Sequence, residues 1–372
     1  MNERLLPREN AELVGHDHAE REILDAWTAG RLHHAWLISG PKGIGKATLA
    51  YRFARFILAG GAGAAPYEAT ALFGAEEMPT APASLAVDVA HPVFRRVAAN
   101  GHGDLQVIER GMTDDGKRMQ TVIPVEKIRG VGHTMSLTAG EGGWRVIIVD
   151  GAEEMNPNAA NALLKVLEEP PKRALLLLIT HAPGRLLATI RSRCCQLRLS
   201  SLTPDVVDSL VAQHRPDLSA EDRQVLSRLS DGSIGRALDL DDSGGVALQR
   251  ELIAIMNSLP SLDMKSAHKF ADKVARRDAD AAWRTAVDLA SRSLADIVAA
   301  SVRGEDLSAR GYGPEEAASL IRLQSLARPD QWIDVWEKNA GLFAKADSAN
   351  LDRKQVMLNA LATMENLART GV

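Results

Sequence analysis

"HHAWLISGPKGIGKATLAYRFARFILA", His33 to Ala59, decides the fold. A short apolar run feeds a turn of three glycines, and behind Lys46 the apolar residues return at helical spacing, so the stretch reads as strand, loop, helix. In that setting successive backbone N–H groups of the turn point at phosphate oxygens, and the helix N-terminus adds a favourable dipole. Gly40, Gly43 and Gly45 meet the need, and Lys46 is set to reach terminal phosphates. The pattern G-x-x-x-x-G-K-[ST] then breaks at its last letter. Ala47 stands where a hydroxyl normally gives its oxygen to Mg²⁺. Thr48 belongs to the nucleotide-binding candidates, but it does not replace that ligand, because one helical step turns a side chain by about 100°.

Two further units repeat the logic. "WRVIIVDGAEEM" (Trp144 to Met155) is a β-branched run ending in Asp150, and the helical pattern "NAANALLKVLEE" that follows is closed by Pro170 and Pro171. "ALLLLITHAPGRLLATIRSRCCQLRL" (Ala174 to Leu199) gives a fully apolar strand ending in Thr180, a turn at Pro183 and Gly184, a short helix and a last alternating strand. Strands apolar on both faces, each followed by a helix, predict a parallel sheet covered on both sides. The tract from about 60 to 103, rich in Ala, Gly and Pro, reads as an irregular insertion with one short helix. From "LTPDVVDSLVAQH" onward only helical patterns remain, broken at Gly232, Pro260, Gly311 to Gly313 and Pro329.

Composition narrows the function classes. A chain of 372 residues holds two or three domains. Its 44 Lys and Arg against 48 Asp and Glu exclude the global basic field of a protein that binds nucleic acid alone. From Gly244 to the end, 17 basic and 17 acidic residues are interspersed, as on a solvated helical bundle. Cys194 and Cys195 are the only cysteines, which excludes a disulfide framework and a cysteine-rich zinc site; His91 and His102 are too few to build one, so no zinc and no other metal is expected. The absence of a signal-like start or a membrane-length apolar run points to the cytoplasm.

Asp150 occupies the strand end where P-loop proteins keep a magnesium-linked carboxylate; a plain role capping the next helix is the alternative. Hydrolysing proteins follow that aspartate with a water-orienting glutamate, and here the next residue is Gly151. The parts that shape a phosphate site are kept, and two that make it catalytic are gone. Since phosphoryl transfer depends on positioned water and neutralised charge, little or no intrinsic ATPase is expected.

"NALLKVLEEPP" (Asn161 to Pro171), followed by "LLLIT" and "TIRSRC" (Thr189 to Cys194), resembles the AAA+ subunits of bacterial DNA polymerase III clamp loaders, and within that group the delta prime type. The resemblance covers about the first 240 residues. It implies an α/β fold of three parts: an AAA+ P-loop parallel-sheet domain over 1–201, a small helical lid domain over 202–243 and an all-helical collar domain for oligomerisation over 244–372. It also implies a ring-like assembly in which Arg193, the arginine of "SRC", acts in trans as an arginine finger on the ATP held by a neighbour. As a structural alternative, Arg193 pairs with a carboxylate at the sheet edge. Thr180 falls at the first sensor position. At the second sensor, "GSIGRAL" puts Gly235 where hydrolysing subunits have arginine and shifts Arg236 by one. Family members of this type usually carry a four-cysteine zinc module in the tract where this chain has no cysteine. The implied partners are gamma/tau and delta subunits and, through the complex, the sliding clamp and primer-template DNA. Whether ATP or ADP occupies the loop stays open. The runner-up is an ATP-hydrolysing motor subunit of the same loader, with an acid such as Glu153 standing in for the lost group.

Overall fold

The computed structural model of the chain describes residues 5–61, 82–113, 119–136, 143–303 and 312–371. It forms two compact units, Met1–Val206 with Ser233–Gly235, and Val207–Gly232 with Arg236–Val372.

The first unit runs α1 (Asp17–Thr28), β1 (Ala35–Ser39), α2 (Lys46–Leu58), α3 (Pro92–Ala98), β2 (Leu105–Ile108), α4 (Val125–Ser136), β3 (Arg145–Asp150), α5 (Pro157–Glu168), β4 (Ala174–Thr180), α6 (Ala188–Arg191) and β5 (Cys195–Arg198). The five strands form one sheet in the order β2-β3-β4-β1-β5, and every pairing is parallel. Because side chains alternate along a strand, each central strand feeds two cores. Trp36, Ile38, Val146, Ile148, Leu175 and Leu177 pack on one face with Ile23, Leu49, Phe53 and Phe56 of α1 and α2. Leu37, Ile147, Val149, Leu176 and Leu178 pack on the other with Ile128, Val131, Ala159 and Leu163 of α4 and α5. This two-sided burial explains why β4 shows no polar alternation at all, being buried at all seven positions.

Of the tract read as an insertion, residues 62–81 lie outside the described residues; the remainder carries the one short helix, α3, capped by His91, whose Nδ1 accepts the Val93 N–H at 3.2 Å. The other histidine of that tract, His102, takes the Asp104 N–H on its Nδ1, also at 3.2 Å. Strand β2 and helix α4 went unassigned in the sequence: β2 is only four residues long and largely half-buried, which leaves little pattern to read.

The second unit is built of helices among the described residues: most of α7 (Pro204–His214), α8 (Ala220–Leu229), most of α9 (Ile234–Asp242), then α10 (Gly245–Asn257), α11 (Met264–Val274), α12 (Asp280–Arg303), α13 (Pro314–Gln324), α14 (Pro329–Ser348) and α15 (Arg353–Thr370). Trp283, Trp332 and Phe270 are buried at its centre. Side-chain caps define its helix starts: Ser219, Asp263 and Asp352 each accept a first-turn N–H, as short polar caps do. A polar network ties α8, α10 and α13 together. Arg228 pairs with Glu316 at 2.6 Å and lies over the Tyr312 ring at 3.8 Å, while Gln249 donates to the same carboxylate at 2.6 Å.

Candidate phosphate site and the distant arginine

In a parallel sheet, ligands gather outside the carboxyl ends of the strands, where the strand order reverses. Here that point is the end of β1, and the loop Gly40 to Gly45 leaves from it. The register sets Ser39 opposite Thr180 and Asp150 opposite Ile179, so Asp150 and Thr180 close the neighbouring strands beside the loop. Sequence-distant candidates are thereby brought to one end of one sheet.

Gly40, Gly43 and Gly45 all take positive φ. At Gly40 the constraint is double: φ is +148°, and an added Cβ would run into the backbone oxygen of Leu199. Gly40→Ala should therefore cost about 2 kcal/mol or more, read as a fall in the midpoint of urea unfolding.

The loop is fastened from behind through its carbonyls. Lys46 Nζ donates to the oxygens of Gly40 at 2.7 Å and Pro41 at 2.5 Å. Ser233 Oγ donates to Lys42 O at 2.8 Å, and the Gly235 N–H to Gly43 O at 2.9 Å. His16 Nε2 lies 2.7 Å from Ile44 O; burial lowers the pKa of this ring, so the neutral form with its proton on Nε2 is the donor. Five consecutive carbonyls, Gly40 to Ile44, thus have partners, and the "GSIG" turn serves the loop as backbone architecture.

The ionisable groups around Lys46 are poised in opposite senses. Burial lowers the Lys46 pKa, and Asp150 and Glu153 work against that shift. Burial raises the Asp150 pKa, reinforced by Glu109 and opposed by Lys46. Glu153 ends up below the usual carboxylate range: burial penalises its charge, but the backbone N–H groups of Glu153 and His181, the Thr180 hydroxyl and the His181 ring outweigh it. The His181 N–H reaches Glu153 Oε1 at 3.0 Å, and its Nδ1 stands 2.7 Å away. From the sequence, Glu153 is offered only as a stand-in acid for a motor subunit, without a place in the fold. A 3-10 turn over Ala152–Glu154 folds it back under β4, and no local pattern announced that. Thr180 is fully buried and its hydroxyl also accepts the Ala182 N–H at 3.1 Å.

A raised Asp150 pKa has a definite sign. The unfolded chain ionises near the ordinary 3.8, whereas the folded chain holds the proton to higher pH, so the ionised carboxylate costs stability once pH passes the folded value. Asp150→Asn should raise the urea midpoint at pH 7, with the gain vanishing as pH falls below about 3.8. The capping alternative for Asp150 is overturned: Asn156 caps α5, accepting the Ala159 N–H at 2.8 Å, because it directly precedes the helix and Asp150 does not.

The residues present fit phosphate and do not fit a hydrolytic magnesium site. The Ala47 methyl packs against the apolar core. Gly151 sits at φ +76° with Glu154 Oε2 only 2.6 Å from where a Cβ would lie, and Glu154 is held there by Arg110 at 2.7 Å. A side chain at this position would be strained by the backbone conformation, and the Glu154 carboxylate would have to move aside for it. Arg236 is committed elsewhere, paired with Asp231 at 2.9 Å and Asp288 at 2.5 Å.

Arg193 lies at the other end of the sheet. It precedes β5, whose first residue, Cys195, pairs with Trp36 near the start of β1, whereas the glycine loop follows the end of β1. The length of that strand, about 15 Å at ~3.3 Å per residue, separates the two. Its guanidinium pairs with Glu168 at 3.0 Å and donates to Thr189 O at 3.1 Å. The carboxylate contact expected of a structural arginine is thus present, although the side chain stays 37% exposed.

Strand order, loop position and strand-end carboxylate define a P-loop protein of the AAA+ class. More narrowly, residues 15–203 match the family described as "DNA polymerase III, delta subunit", and the chain belongs to that family. It is 36% identical over 202 residues to the DNA polymerase III subunit delta' of Pseudomonas aeruginosa, covering 54% of this chain and 53% of that one. To the delta' subunit of Bacillus subtilis it is 29% identical over 241 residues, covering 64% and 63%. The chain thus spans about half the length of the first relative and under two thirds of the second. Among solved structures, a gamma subunit-related protein of Thermotoga maritima aligns with 93% of this chain and all of its own at 17% identity and a TM-score of 0.37. Among the described residues no helix is long and apolar enough to cross a membrane, and no three or more His, Cys, Asp or Glu side chains are grouped as a metal site would need.

Proposed function

We propose that this chain is the delta prime-type, stationary AAA+ subunit of a DNA polymerase III clamp loader, working in the cytoplasm. It lends Arg193 to the ATP site of a neighbouring subunit and helps load the sliding clamp onto primed DNA during replication. One observation carries the reading: the arginine stands at the amino end of the sheet, a strand's length from the chain's own glycine loop, so a phosphate it serves must belong to another subunit. The arrangement of the loop supports the complementary half. Gly40, Gly43, Gly45, Lys46 and Thr48 would hold the phosphates of ATP or ADP, and Asp150 and Thr180 would flank them. Without a hydroxyl at Ala47 and a carboxylate at Gly151, the same pocket lacks the means to orient water or complete a magnesium shell. Bound nucleotide would supply phosphate oxygens for the loop to grip; the chain's own residues would do no hydrolysis there.

The motor reading would need Glu153 as the water-orienting acid, and that carboxylate is already bound to the backbone and ring of His181. The helical unit is the natural region for assembly with gamma/tau- and delta-type subunits. The test is reconstitution with those subunits, comparing wild type with Arg193→Ala; a neighbour's ATPase at full rate in the intact variant complex would sink the proposal.

A further inference from the structure

Arg193 is held at two points that come from different elements. Nη2 meets Glu168 Oε1 at 3.0 Å, and Nη1 donates to the carbonyl of Thr189 at 3.1 Å. A guanidinium has five N–H donors in one rigid plane. These contacts take one hydrogen from each terminal nitrogen and leave the other two terminal hydrogens and Nε–H to be offered elsewhere. Glu168 is the last residue of α5, so the helix's own terminal carbonyls add negative character where the guanidinium lies. Arginine normally loses much rotamer freedom when it engages a ligand; a side chain pinned at both terminal nitrogens has given up that freedom beforehand. The carboxylate is 51% exposed and the arginine 37%, so the pair lies at the surface, where another subunit can approach it.

We propose that Glu168 is a positioning residue: it aims the Arg193 guanidinium, planar face and free edge together, at a phosphate on the neighbouring subunit. The role rests on the trans-acting reading of Arg193 given above. Glu168 touches no nucleotide and acts only through the arginine. Holding wins over competing because the carboxylate occupies one donor of five, while the geometry it fixes governs all the rest.

The test uses the full chain reconstituted with gamma/tau- and delta-type subunits, with clamp and primed DNA, reading kcat and KM of the adjoining site from single-turnover ATP hydrolysis over a range of ATP concentrations. An exposed pair of this kind is worth about a two- to fivefold change, so Glu168→Ala should lower kcat by that factor and leave KM unchanged. Glu168→Asp should recover part of the loss, and the gap between wild type and Glu168→Ala should narrow as ionic strength rises. Added to Arg193→Ala, Glu168→Ala should have no further effect. An unchanged or raised kcat in Glu168→Ala would overturn the role, as would an equal loss in the Arg193→Ala background, which would mark a structural effect. If Arg193→Ala itself runs at full rate, the trans-acting reading fails and takes this role with it. A slow Arg193→Ala beside a wild-type Glu168→Ala removes the role of Glu168 alone.

Discussion

If Arg193 acts in trans as proposed, Arg193→Ala should lower single-turnover ATP hydrolysis at the adjoining subunit of a reconstituted clamp loader by about 1,000-fold or more, while the complex elutes at its usual size. The magnitude follows from what an arginine delivered in trans to a transferring phosphoryl group contributes, ~10³ to 10⁵ in rate. Assembly and folding should survive because the side chain is 37% exposed and its ion pair with Glu168 is a surface contact, worth under about 1 kcal/mol. Arg193→Lys should recover little. An ammonium keeps the charge, but it cannot both answer Glu168 and Thr189 and present a planar fork to phosphate. Single-turnover measurement matters, since a steady-state rate averages several ATP sites and hides the loss of one. Full-rate hydrolysis in the variant complex would leave the arginine a sheet-edge structural residue.

The strand-loop-helix signal at Gly40 to Lys46 and the three apolar strands were legible because each is short-range: glycine spacing and β-branched runs declare themselves within ten residues. The parallel pairing that sets Asp150 and Thr180 beside the loop followed from the same strands. What stayed hidden depends on contacts across the chain. Nothing near Glu153 says that it will turn back onto His181, and nothing near Ser233 and Gly235 says that they will hold the carbonyls of Lys42 and Gly43. Gly151 shows the limit most clearly. Its sequence position reveals a missing glutamate, but only the left-handed backbone reveals that a side chain there would be strained. Restoring the side chain would strain the turn before it restored any chemistry.

The largest loss of stability should come from Arg55, a residue with no place in the phosphate site. It lies on α2, the helix that leaves the glycine loop, and is 1% exposed. Its Nη1 donates to Arg8 O at 3.0 Å and its Nη2 to Asn10 O at 2.7 Å, and the guanidinium lies over the Phe94 ring at 4.4 Å. Burial beside Arg52 pushes its pKa down to about 10, so it is still charged at neutral pH. The charge is compensated by backbone dipoles and an aromatic face, contacts that bind the N-terminal segment and α3 to one helix. Arg55→Ala would strand two carbonyls, open a cavity and release the segment leading to His16, whose ring braces Ile44 in the loop. The expected cost is about 3–5 kcal/mol, read as a lower urea midpoint with an unchanged m-value. Arg55→Met should regain the packing of the stem without the hydrogen bonds, and Arg55→Lys the charge without the fork, so both should fall between wild type and alanine. If Arg55→Met matched wild type, the carbonyl contacts would contribute nothing net, and the anchoring of the segment would rest on apolar packing alone.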